Sequence, residues 1–107
     1  MIKRSLGEFE QLVLLAILRV SDGAYAVPVI REIEEQTGRN VSHAAVYIAL
    51  RRLEEKGLIT SRLAEATAER GGRAKRYYEV DPTTVPLLRQ SRDALLRMWE
   101  GLEPVNE

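Results

Sequence analysis

The chain of 107 residues is long enough for one small domain, and 45% of its residues are apolar, so it can bury a core. The absence of cysteine excludes disulfides and thiolate metal sites, and no apolar run approaches the roughly 18 to 20 residues of a membrane span. The net charge is zero, but it is unevenly distributed. Residues 39–78 hold nine basic and four acidic side chains, whereas the rest of the chain holds seven basic and twelve acidic ones. We therefore predict a cytoplasmic protein with one positive region that can meet a polyanion.

The first half of the chain is predicted to form three helices, because apolar residues recur there at spacings of three and four. A capping-box pattern, with Ser5 as the N-cap and Glu8 three residues later, predicts the start of the first helix. This helix is expected to end at 21–23, the second to cover about 27–37, and the third to run from Ser42 to Gly57.

The third predicted helix carries two series of side chains at helical spacing. One is an apolar stripe suited to the core: Val46, Ala49, Leu50 and Leu53. The other is rotated away from it: Ala44, Tyr47, Ile48 and Arg51. Because a helix in a small domain needs only one buried stripe, the second series is available to a partner.

After Gly57 the pattern changes to alternation, which is typical of strands at 58–63 and 75–80. The pair Gly71-Gly72 supplies the turn between them. A last helix is expected to extend to about residue 102, with either Asp81 or Thr84 as its N-cap; the earlier cap would place Pro86 awkwardly inside the helix. The fold class is thus mainly α with a small β-hairpin. We predict a winged helix-turn-helix at 1–81 and a C-terminal dimerisation helix at 82–107, forming one compact unit.

This order of elements predicts DNA binding through the third helix and the hairpin, or wing. Groove-entering helices contact base edges near their N-terminal ends with small or polar side chains. The candidate recognition residues are Ser42, His43, Ala44, Tyr47 and Arg51. For Tyr47, packing at the edge of the core is the alternative.

The predicted wing places basic side chains around its glycine pair. They are Arg70, Arg73, Lys75 and Arg76. Four phosphate contacts per subunit, eight per dimer, would give a salt slope of about −7. A hydrated surface loop is the alternative interpretation of this segment.

No enzymatic chemistry is indicated. The single histidine, His43, has no cysteine or suitably spaced carboxylates with which to form a metal site. No glycine-rich phosphate loop follows a strand, and no serine lies in a nucleophile-elbow sequence. We expect neither a metal nor a cofactor.

Three segments of the sequence resemble the PadR family of bacterial regulators: residues 6–18, 44–59 and 69–80, in the family's order. The combination of the middle segment with a Gly-Gly-Arg…Tyr-Tyr wing is the specific part. The resemblance implies a repressor that dimerises through its C-terminal helix and is released by a small ligand or another signal. It also implies that Tyr47 is the recognition-helix tyrosine and that Arg73 and Lys75 are basic wing positions. One departure is Ala26 after Tyr25, where the family usually has glycine.

The last predicted helix has an apolar face too wide for so small a domain. The predicted dimer-interface residues are Leu88, Leu95, Met98, Trp99 and Leu102. Symmetric pairing with a second copy, together with the first helix, would bury them. Folding back on its own domain is the alternative. By resemblance, Trp99 could stack on a small aromatic effector between subunits, although a lone tryptophan there is more often interface core.

The sequence therefore predicts a sequence-specific DNA-binding transcription regulator. It would bind a palindromic promoter site as a homodimer, with recognition helices about 34 Å apart, and act as a repressor. The alternative is a winged-helix module for protein–protein interaction without DNA binding. The basic wing separates the two, because a protein-binding wing has no need of four cations.

Overall fold

The structure, a computed structural model, describes residues 6–64 and 74–102, which form four helices and a two-stranded antiparallel hairpin. In chain order these are α1 (Glu8–Val20), α2 (Ala26–Thr37), α3 (His43–Glu55), β1 (Ile59–Ala64), β2 (Lys75–Val80) and α4 (Thr84–Trp99). This order confirms the predicted winged helix-turn-helix with a further helix after the wing. No helix within the described ranges is long and apolar enough to cross a membrane.

The helix ends are set by local hydrogen bonds. Ser42 is the predicted N-cap of α3, and its hydroxyl accepts a 3.2 Å hydrogen bond from the Ala45 N–H. The prediction for α1 was wrong, because the helix begins at Glu8 and its N-cap is Gly7. The Gly7 N–H donates to the carboxylate of Glu10 at 3.2 Å. Ser5, the predicted cap, lies outside the described residues.

The core forms where α1, α2 and α3 meet the base of the hairpin. Leu14, Val29, Leu50 and Leu58 are among its fully buried side chains. The predicted apolar stripe of α3 is confirmed, since all four of its members are buried there. Burial of this stripe fixes which side of α3 is left facing outward.

The start of α4 is attached to the core by a buried threonine. The helix begins at Thr84 with Thr83 as its N-cap, one residue before the later of the two predicted caps, and it ends at Trp99 rather than near residue 102. The fully buried Thr84 hydroxyl donates to the Leu58 carbonyl at 2.8 Å, and the Asp81 N–H donates to the same carbonyl at 3.0 Å. Pro86 is tolerated as the third helical residue, because an N–H there would have no partner within the helix.

We expect Thr84→Val to destabilise the domain by about 1 kcal/mol, the typical net contribution of one intramolecular hydrogen bond. The shape of the side chain is retained, so the loss reports on the hydroxyl. Urea unfolding measures the change, with Thr60→Val as the matched control because Thr60 is exposed on β1. Equal losses in the two variants would contradict this role for Thr84.

Candidate nucleic-acid interface

The outward side of α3 is an exposed surface opposite the buried stripe. At roughly 100° per residue, Ala44, Ile48 and Arg51 lie on the side away from the core, and all three are exposed. Tyr47 lies to one side of them and is 51% exposed. The structure thus brings the predicted recognition residues of this helix onto one surface. Ile48, 49% exposed, belongs to it as well and was not among the predicted site residues.

The N-terminal end of α3 adds two exposed polar residues, Ser42 and His43. The Ser42 hydroxyl has a structural role, because it already accepts the hydrogen bond that caps the helix. The backbone N–H groups at the start of the helix that have no partner within it favour a negative charge there. This end of α3 can therefore hold a phosphate group and present small side chains to a groove.

Of the four predicted wing cations, the two that the structure describes, Lys75 and Arg76, lie on opposite faces of the hairpin. Successive strand residues alternate between faces, and the register pairs Lys75 with Ala64 and Arg76 with Leu63. Arg70 and Arg73, together with the predicted Gly71-Gly72 turn, lie outside the described residues. The prediction treated the wing cations as one group, and the strand geometry separates two of them.

Arg76 is connected to α3 by a short hydrogen-bond chain. Its guanidinium donates to the Ser61 hydroxyl at 2.9 Å, and Ser61 donates to the Glu54 carboxylate at 2.7 Å. Ser61 is on β1 and Glu54 is in the last turn of α3, so the chain joins the wing to the helix. Arg76 is therefore held on the hairpin face that lies next to α3.

Tyr78 lies on the same hairpin face as Arg76 and packs against the core. Burial raises the pKa of the Tyr78 phenol; Arg76 opposes the rise in pKa, whereas Glu54 and Tyr47 add to it. These influences indicate that the Tyr47 side of α3 and this face of the wing are neighbours. Tyr78 stays neutral near pH 7 and keeps its phenolic hydrogen.

On the opposite hairpin face, two cations contact two tyrosine rings, an arrangement that was not predicted from the sequence. The Lys75 ammonium lies 4.2 Å from the ring centre of Tyr25, and the Arg62 guanidinium lies 5.0 Å from that of Tyr77. The two tyrosine rings meet edge to face at 5.7 Å. The Tyr78 N–H also donates to the Ala24 carbonyl at 2.8 Å. Together these contacts attach the wing to the segment before α2.

Two cations of the positive region are already paired with carboxylates of α1. Arg39 makes two hydrogen bonds to Glu8, at 2.8 and 3.3 Å, and Lys56 lies 3.0 Å from Glu10. Arg39 lowers the pKa of Glu8 by hydrogen bonding and by its charge. Within 6–64 and 74–102, no ion pair involves Arg51 or Arg52. The charge available to a polyanion is thus more concentrated on α3 and the wing than the sequence suggests.

The apolar face of α4 is buried in its first half and exposed in its second. Leu88 lies in the domain's own core, which removes it from the surface open to a partner. Two turns later on the same face, Leu95 is 58% exposed, and Leu102, which follows the end of α4 at Trp99, is 70% exposed. Met98 and Trp99 lie beside them at 75% and 53% exposure. The face therefore continues past the point where its own domain can cover it.

A half-open groove of about 370 Å³ lies between the end of α1, the segment after it and the hairpin. Its lining includes Asp22, Arg62, Tyr77 and Glu79, and Trp99 does not contribute to it. Among the described residues, no group of three or more histidine and carboxylate side chains is placed to hold a metal ion.

Comparison with known proteins gives a family and a fold. The model of the transcriptional regulator PadR-like family matches residues 14–83. No curated protein sequence matches the chain. A transcriptional regulator from Clostridium thermocellum is similar in structure, with a TM-score of 0.69, 19% identity and coverage of 92% of each chain. A PadR family transcriptional regulator from Eggerthella lenta has a TM-score of 0.69 and 21% identity. The match covers 89% of this chain and 82% of that one.

The same fold also occurs within a larger protein. The ORC1 protein of Aeropyrum pernix, solved in complex with DNA, has a TM-score of 0.65 and 22% identity. The match covers 87% of this chain and 26% of that one. At these identities, the structural likenesses are evidence for the fold alone.

Proposed function

The chain belongs to the PadR-like family of transcriptional regulators, and from this premise we propose that it binds double-stranded DNA with α3 and the wing. The site would be a palindromic promoter sequence, bound by a homodimer that represses transcription in the cytoplasm. In this proposal 1–81 is the DNA-binding unit and 82–107 provides dimerisation. The Aeropyrum pernix protein that contains this fold in about a quarter of its chain was solved in complex with DNA, which is consistent with this proposal.

One observation carries the proposal: the hydrogen-bond chain from Arg76 through Ser61 to Glu54 keeps a wing cation beside the exposed side of α3. A duplex that receives α3 in its major groove presents phosphates on both sides of the helix. Arg51 and Arg52 on the helix and Arg76 on the wing are the described cations suited to them. Arg70, Arg73 and Lys75 are proposed as further wing contacts on the sequence pattern.

The exposed second half of the α4 face supports the proposed homodimer. Burial of Leu95, Met98, Trp99 and Leu102 against a second copy would remove a contiguous apolar surface from water, and symmetric pairing is the usual outcome. Leu15 and Leu18 on α1 are also partly exposed and are proposed to take part. Two α3 helices would then read half-sites about one helical turn apart.

Release by a small aromatic effector is the remaining part of the proposal. Trp99 offers a half-exposed indole face on α4, and between two subunits it could stack on a planar ligand. Binding there would change the packing of α4 and hence the separation of the two α3 helices, which must match the half-site spacing.

The salt dependence of duplex binding tests the proposed DNA contacts. If the four wing cations of each subunit contact phosphates, they alone give a plot of log Kd against log salt concentration a slope of magnitude about 7 for the dimer, and phosphate contacts by Arg51 and Arg52 would add to it. Fluorescence anisotropy with labelled duplexes measures it. Failure to bind any duplex, or binding without salt dependence, would instead favour a winged helix that binds another protein.

A further inference from the structure

The exposed side of α3 combines an apolar patch with flanking charge. Ile48 projects from the middle of this side, and Ala44 lies one turn before it. A β-branched residue is a weaker helix former than alanine, and half of the Ile48 side chain is left in water. Folding of the domain gains little from an isoleucine here, so its apolar surface is suited to contact with a partner.

The surroundings of the patch identify the chemistry of that partner. Arg51 and Arg52 follow Ile48 within one turn and form no ion pair among the described residues. A neighbouring pair of cations favours a polyanion over an apolar protein surface. Glu55, on the same side at the far end of the helix, disfavours phosphate there and leaves the Ala44 end to approach the duplex.

In the major groove, the C5-methyl group of thymine is the apolar feature that distinguishes a T·A pair from the other base pairs. Small and branched aliphatic side chains contact it without any hydrogen bond. We propose that Ile48, with Ala44 beside it, packs on thymine methyl groups and makes the protein select thymine at defined positions of each half-site. This inference rests on the proposed DNA binding and assigns a specificity role within that site.

Deoxyuridine provides the test, because it pairs with adenine as thymine does and lacks only the C5-methyl group. The full-length protein first enriches duplexes of about 30 base pairs from a random-sequence pool, long enough for two half-sites. Each thymine of an enriched duplex is then replaced singly by deoxyuridine. Affinities are measured by anisotropy for the wild type, Ile48→Ala and Arg52→Ala.

We expect deoxyuridine to weaken wild-type binding about fourfold at one or two positions in each half-site, the effect of about one buried methyl group. In Ile48→Ala, the difference between the thymine and deoxyuridine duplexes should be much reduced at those positions, although Ala44 is still present. Arg52→Ala should weaken binding to both duplexes and retain the fourfold ratio. Circular dichroism checks that the Ile48→Ala protein is folded, as expected for a change at a half-exposed site.

The proposal for Ile48 fails if no thymine position responds, or if the response is unchanged in Ile48→Ala. Salt-dependent binding of the parent duplex in the same assay would leave the proposed function intact in either case. If no duplex is enriched at all, both the thymine proposal and the DNA-binding proposal are wrong.

Discussion

Replacing Met98 with aspartate is expected to dissociate the proposed dimer and, with it, to abolish tight binding to the proposed operator. Met98 is the most exposed large apolar residue of the described chain, at 75%, and lies on the α4 face that continues past the domain core. In a symmetric interface, each copy would bury an unpaired carboxylate. Such a charge costs about 3 kcal/mol or more, so we expect the dimer dissociation constant to rise at least about a hundredfold.

Loss of the dimer should weaken operator binding by a comparable factor, because one subunit keeps only half of the contacts. Analytical ultracentrifugation and duplex anisotropy measure the two effects. Arg97→Asp is the matched control, since Arg97 lies on the opposite side of α4. If Met98→Asp remained dimeric while folded, the proposed interface would be wrong.

Arg51→Ala is expected to produce the second large effect, a loss of DNA affinity of about a hundredfold. Arg51 lies on the exposed side of α3, and a dimer would lose two copies of its contact, each worth about 1.4 kcal/mol. A contact with phosphate would weaken all duplexes alike and reduce the salt slope by about 2. A contact with a base would instead change the preferred sequence.

Arg39→Ala is the control for this prediction, because it removes the same charge from the same positive region. The Arg39 guanidinium is paired with Glu8 on α1. Its removal therefore leaves the Glu8 carboxylate without this partner and takes away no contact with a phosphate. We expect little change in DNA affinity. Equal losses for Arg39→Ala and Arg51→Ala would mean that net charge alone, and not the exposed side of α3, governs binding.

The sequence predicts α3 well, because helical periodicity determines which side faces the core. Once Val46 and Leu50 are assigned to the core, Ala44 and Arg51 must face outward. The same angular argument placed Ile48 in the outward series, and half of its side chain is exposed. Periodicity gave it no role among the recognition residues, because it shows which side a residue faces and not what that residue contacts.

The pairing of charges could not be predicted from local patterns. Arg39 meets Glu8 across 31 residues, and Lys56 meets Glu10 across 46, so only the packing of the helices brings them together. The predicted interface on α4 fails at Leu88 for a related reason. Periodicity identifies the apolar face, but the size of the core decides how many of its turns are covered.

Mapping the DNA sites that the protein occupies in its own cell, by chromatin immunoprecipitation, tests the central claim most directly. We predict promoter sites with two-fold symmetry, whose half-sites are about 10 base pairs apart centre to centre and are lost with Met98→Asp. Occupancy without sequence preference, or sites without symmetry, would contradict a dimer that reads DNA through two copies of α3.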